Sequence, residues 1–125
     1  MIIIDKLGRT PIYEQLIDSI KKEILNGALT EDELIPSVRT LSVNLSINPN
    51  TIQKAYNELE RIGITRSVPG VGRYVSKDAV LIIKEDMRNA EQDLRKAITD
   101  LKIAGCELES IMKKVKLYYE EGQND

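Results

Sequence analysis

Ile35-Pro36-Ser37-Val38-Arg39-Thr40-Leu41, followed after Ser42 to Leu45 by Ser46-Ile47-Asn48-Pro49-Asn50-Thr51-Ile52, decides how this chain is read. The stretch holds two helix starts separated by one break. Pro36 biases Ile35 towards extended backbone, and the Ser37 hydroxyl can cap a helix that begins at the next residue. Val38, Leu41 and Leu45 then mark one face of a short helix over about 37–45. Asn48 caps and Pro49 opens a further helix, whose apolar face reads Ile52, Ala55, Tyr56, Leu59 and Ile62 before Gly63 stops it. Two helices joined by so short a turn cross at a large angle, the helix-turn-helix arrangement.

Upstream, Thr10-Pro11 reads as a hydroxyl cap with proline at the first helical position. Tyr13, Leu16, Ile17, Ile20 and Ile24 recur behind it at helical spacing, and Gly27 ends a helix of roughly 11–26. Downstream the period falls to two: Ile64, Arg66 and Val68 alternate with Thr65 and Ser67, and Arg73 to Ser76 form a second run. Pro69-Gly70-Val71-Gly72 between them is a turn signal, so a hairpin is predicted. Helix, helix-turn-helix, hairpin is the order of a winged helix-turn-helix domain, assigned to residues 1–77.

From Ala79 the helical pattern returns. Val80, Ile83, Met87, Ala90, Leu94, Ile98 and Leu101 form a stripe with an average spacing near 3.5 residues, which keeps to one side of a long helix. After Gly105, Leu108, Ile111, Met112, Val115 and Tyr119 mark a second amphipathic helix, expected to return antiparallel; Gly122 to Asp125 reads as a frayed polar tail. Residues 78–125 are therefore predicted to be a helical hairpin for dimerisation, with Ile83, Met87, Ala90, Leu94, Ile98 and Leu101 at the contact. The stripe could instead pack on the first helix, but helices one to three and the wing already satisfy a small core. A symmetric partner supplies the missing surface. The fold class is mainly α with a small β wing.

Composition narrows the chemistry. Among 125 residues there is no His, Phe or Trp and one Cys. A Ser-His-Asp or Cys-His nucleophile system cannot be assembled, and Cys106 alone supplies no zinc site. No enzyme activity, metal or cofactor is expected. Cys106 has no adjacent basic residue to activate it, and an inert thiol is the simpler reading. The longest apolar run, Ala79 to Ile83, is far short of a membrane span, and the one Cys suits a reducing cytoplasm. The formal charge is −2, yet it is unevenly spread. Between Ser37 and Lys77, Arg39, Lys54, Arg61, Arg66, Arg73 and Lys77 face only Glu58 and Glu60, a local +4. Each flanking segment carries −3. A basic middle on an acidic chain is a localised electrostatic footprint.

The ordered set Ile35-Pro36-Ser37-Val38-Arg39-Thr40-Leu41, Asn48-Pro49-Asn50-Thr51-Ile52-Gln53-Lys54-Ala55-Tyr56 and Gly70-Val71-Gly72-Arg73-Tyr74-Val75 resembles the GntR family of bacterial transcriptional regulators. Pro11-Ile12-Tyr13-Glu14-Gln15 and the short two-helix C-terminus look most like its YtrA subfamily. The resemblance implies a homodimeric repressor whose recognition helices and wings straddle a palindromic operator on double-stranded DNA, with membrane-transport genes as targets. It places Arg39, within Pro-Ser-x-Arg, as an arginine reaching DNA from the second helix. It sets Asn48, Asn50, Thr51 and Gln53 around the start of the recognition helix, and Gly70 at a wing tip near the minor groove. Many members carry a basic or polar residue where this chain has Pro69, and Arg73 is the candidate substitute.

The residues supply a chemical reason of their own. Asn50, Thr51 and Lys54 face away from the Ile52-Ala55-Tyr56 stripe, at the helix end that enters a major groove. Asn and Gln pair bidentately with adenine, and a Thr methyl meets a thymine methyl. Ser37 and Gly72 complete the candidate DNA-binding set. The plainer alternatives are that Asn48 is only a cap, Gly70 and Gly72 only turn glycines, and Arg39 a surface arginine, though no carboxylate lies three or four residues from it. A winged helix used for protein–protein contact is the rival function. Residues 78–125 are too few for a sizeable ligand domain, so a small-molecule effector would have to bind between domains or at the dimer interface.

Overall fold

The computed structural model describes residues 2–124, and the side chains of 2–121. Its elements run α1 (Ile12–Leu25), α2 (Val38–Leu45), α3 (Pro49–Arg61), β1 (Thr65–Val68), β2 (Gly72–Val75), α4 (Ala79–Ile103) and α5 (Leu108–Asn124). The core of the head is aliphatic around a single ring. Tyr56, Leu16, Ile20, Ile52, Leu59, Ile64 and Val75 are fully buried where α1, α3 and the hairpin meet. Burial of each such side chain contributes about 1.5–3 kcal/mol.

The two caps of the helix-turn-helix form as the sequence predicts. Ser37 Oγ accepts from the Thr40 N–H at 3.1 Å, and Asn48 Oδ1 accepts from the Asn50 N–H at 2.8 Å with Pro49 opening α3. Between them Ser46 turns left-handed at φ 53°, and the Ser42 hydroxyl donates to the Ile47 carbonyl at 2.6 Å.

The start of α1 differs from expectation. Pro11 is itself the N-cap, and Thr10 gives no side-chain cap. The chain before α1 is held instead by Gln15, whose Nε2 donates to the carbonyls of Thr10 and Asp5, each at 2.8 Å, while its Oε1 accepts from the Asp5 N–H at 2.7 Å.

The hairpin pairs Thr65 with Val75 and Val68 with Gly72. Its turn closes through the Val71 N–H to the Val68 carbonyl at 3.0 Å, with Pro69 first and Gly70 second at φ 76°, the geometry of a type II turn. A third short piece joins it: Leu34 bridges Tyr74, and the Ile35 N–H donates to the Arg73 carbonyl at 2.9 Å.

The C-terminal helices bring corrections. Ile83, expected at a dimer contact, is buried with Ala79 in the core of its own head, because the first turns of α4 lie on α1. Beyond it, every residue from 84 to 100 is exposed, Met87, Ala90, Leu94 and Ile98 included; Leu101 is half-buried. On α5, Ile111 is the one buried side chain among those described. The expected antiparallel packing of α5 along α4 is therefore not formed within one chain. Helix α5 also continues to Asn124 where a frayed tail was expected; Asp125 lies outside the described residues.

Candidate nucleic-acid interface

Arg39, the second residue of α2, stands exposed with no hydrogen bond or ion pair among the described residues. Ser37 beside it has its hydroxyl engaged in the cap, also donating to Thr40 Oγ1 at 2.9 Å. Across from them lies the wing. Ser37, Arg39 and Thr40 line one side of a cleft of about 500 Å³, with Val71, Gly72 and Arg73 on the other.

Arg73 is half-buried, its guanidinium 5.4 Å from the centre of the Tyr56 ring and its Nε buried without a partner. It leans on α3 rather than standing clear at the wing tip. Burial pushes the Tyr56 hydroxyl up to about 12, against an opposing pull from the Arg73 charge. That hydroxyl donates to the Pro36 carbonyl at 2.7 Å, joining the middle of α3 to the residue before the α2 cap.

At the start of α3, Asn50 is exposed and Thr51 half-buried, both with side chains free of hydrogen bonds among the described residues. Gln53 is engaged, its Nε2 donating to Asn57 Oδ1 one turn on at 2.7 Å. Lys54 sets its ammonium 3.9 Å from the centre of the Tyr13 ring on α1, a cation–π contact. Gly70 is exposed at the tip of the hairpin turn.

The basic footprint is thinner in space than in sequence. Arg61 is paired with Glu58 at 2.5 Å, which holds the Glu58 carboxyl below the usual carboxylate range. Arg66 bonds Asp32 at 2.9 Å and stacks on Tyr74. Arg39 and Lys77 are the segment's basic side chains with neither a carboxylate nor a ring partner among the described residues.

The sequence reading missed three features that shape this surface: the Tyr56–Pro36 bond, the Leu34–Tyr74 bridge, and Lys6, whose Nζ donates to the Ser46 carbonyl at 3.0 Å. Among the described residues no three of His, Cys, Asp and Glu are placed to hold a metal, and no helix is long and apolar enough to cross a membrane.

Residues 12–75, from α1 to the end of the wing, match the family described as bacterial regulatory proteins, gntR family. The chain belongs to the GntR family. It is 40% identical to the HTH-type transcriptional repressor YtrA of Bacillus subtilis, over 93% of this chain and 90% of that protein. A transcriptional regulator from Oenococcus oeni shares its structure with a TM-score of 0.66 and 34% identity, covering 95% of this chain and 97% of that one. The DNA-binding domain of AraR, in complex with an operator, matches with a TM-score of 0.53 and 29% identity, covering 59% of this chain and 92% of that one. This GntR protein is thus a YtrA-like DNA-binding transcriptional regulator, and its relatives are regulators rather than enzymes.

Proposed function

We propose that the protein is a cytoplasmic homodimeric repressor that binds an inverted-repeat operator, with membrane-transport genes as its targets. The observation that carries the reading is Arg39 at the start of α2, unpaired among the described residues and on the same head as the exposed Asn50 at the start of α3. A long cation without a carboxylate and an amide without a partner suit a phosphate and a base edge respectively. Thr51 adds a methyl and hydroxyl at the same helix end. Asn48 and Ser37 hold the two helix starts, and Gly70 and Gly72 let the wing approach closely. Arg73 supports the wall of the cleft, while Gln53 and Lys54 leave their intramolecular partners on binding.

Dimerisation uses the exposed stripe of Met87, Ala90, Leu94 and Ile98 with the half-buried Leu101, together with Met112, Val115 and Tyr119 of α5. Leu101 apart, these apolar side chains stay exposed among the described residues of one chain. Two copies then set recognition helices about 34 Å apart, one turn of duplex. An effector, where one acts, binds between domains or at that interface.

The test is selection of bound sequences from a random duplex pool. An enriched inverted repeat supports the proposal. Sequence-blind binding that vanishes as salt rises overturns it and points to a partner protein on the C-terminal helices.

A further inference from the structure

The segment before α1 is tied to the head by several contacts. Gln15 clamps Asp5 and Thr10 with three hydrogen bonds, the Leu7 N–H donates to Asp5 Oδ1 at 3.0 Å, and Ile2 and Ile4 pack against the core of the head. What the clamp presents is Lys6. Its ammonium reaches 40 residues along the chain to the carbonyl of Ser46, in the turn between α2 and α3. That carbonyl is two residues before Asn48, the cap of the recognition helix.

We propose that residues 5–10 form an additional DNA-contacting arm, in which the Lys6 ammonium binds a backbone phosphate beside the entry of the recognition helix. The inference rests on the operator-binding reading and extends its contact surface to a residue outside the helix-turn-helix and wing. Lys6 is exposed, and its one hydrogen-bond partner among the described residues is a neutral carbonyl. It therefore keeps a full charge and two N–H donors free. The neighbouring start of α3 adds the positive end of a helix dipole and exposed Asn50. A duplex that places a groove over Asn50 brings a phosphate towards the same turn. Preorganisation gives the arm its purpose: with the loop already fixed by Gln15, little ordering entropy opposes the contact.

The experiment compares wild type with Lys6→Gln and Lys6→Arg, on the duplex recovered by selection with wild type, across a series of salt concentrations. Glutamine can still donate to the Ser46 carbonyl but carries no charge. Lys6→Gln is expected to weaken binding about three- to tenfold, and to lower the salt slope by about two for a dimer, one phosphate per protomer. Lys6→Arg is expected to keep the wild-type slope. A wild-type slope in Lys6→Gln, whatever its affinity, overturns the arm and leaves Lys6 as a tie to Ser46 alone. Failure of wild type to recover any duplex is a separate result, which overturns the operator reading and the arm with it.

Discussion

The Tyr56 hydroxyl donates to the Pro36 carbonyl at 2.7 Å, so the fully buried ring of the recognition helix fixes the entrance to the helix that carries Arg39. The bond ties α3 to the entrance of α2, the two helices whose starts carry the proposed operator contacts. The same wall includes Arg73, over the Tyr56 ring, and the Ile35–Arg73 backbone bond ties it to the wing.

The burial of the Tyr56 hydroxyl has an alkaline signature. The folded Tyr56 hydroxyl titrates at about 12, raised from 10.0 chiefly by burial. Between those values the unfolded chain gives up the proton and the folded one keeps it. The stability is fully present below pH 10 and falls as pH rises towards 12, by about 2 kcal/mol for this group. Tyr56→Phe is expected to cost about 1 kcal/mol at neutral pH and to lose less on going alkaline. Urea unfolding across that pH range checks both.

Arg39 and Asn48 should separate cleanly, because one side chain has no partner among the described residues and the other is a cap. Arg39→Ala removes no intramolecular bond and should leave stability within about 0.5 kcal/mol while weakening operator binding. Asn48→Ala loses the bond to the Asn50 N–H and should lower stability by about 1 kcal/mol as well. Asn50→Ala should cost about 1–3 kcal/mol per half-site and relax sequence preference. Thermal melts beside anisotropy titrations distinguish the three.

The long stripe on α4 divides at its second turn. Ile83 is buried in the head, so Ile83→Ala should destabilise folding by about 2–4 kcal/mol. Leu94, 53% exposed in the single chain, has no such role there. Leu94→Glu should leave the head's fold intact and shift the protein to monomer in sedimentation. A Leu94→Glu dimer as tight as wild type would mean that another surface joins the copies.

The difference between Ile83 and Leu94 shows where the sequence is legible. Periodicity finds the face of a helix but not what covers it, and both residues obey the same spacing. The caps at Ser37 and Asn48, the Gly63 stop and the Pro69-Gly70 turn were readable because each depends on local backbone chemistry. The Gln15 clamp and the Tyr56–Pro36 bond were not, since each joins residues brought together only by the fold. Charge was half legible. The basic middle exists, but Asp32 and Glu58 neutralise Arg66 and Arg61, one through a contact 34 residues distant in sequence and the other through a helical pair.

The two wing glycines are expected to fail differently when changed to alanine. Gly70, at φ 76°, has open space where a Cβ would stand, so Gly70→Ala should cost only its left-handed backbone, about 1 kcal/mol, and Gly70→Asn less. Gly72, at φ 141°, would set a Cβ 3.0 Å from Leu34 Cδ2. Leu34 is the residue that bridges Tyr74 and lines the cleft beside Arg39. Gly72→Ala must therefore strain the backbone and displace Leu34, at a cost of about 2 kcal/mol, with a larger loss of operator affinity than Gly70→Ala. Urea unfolding and titration of the selected duplex measure the pair. Equal losses in both would show that Leu34 gives way freely and that the bridge does not hold the wing to the recognition surface.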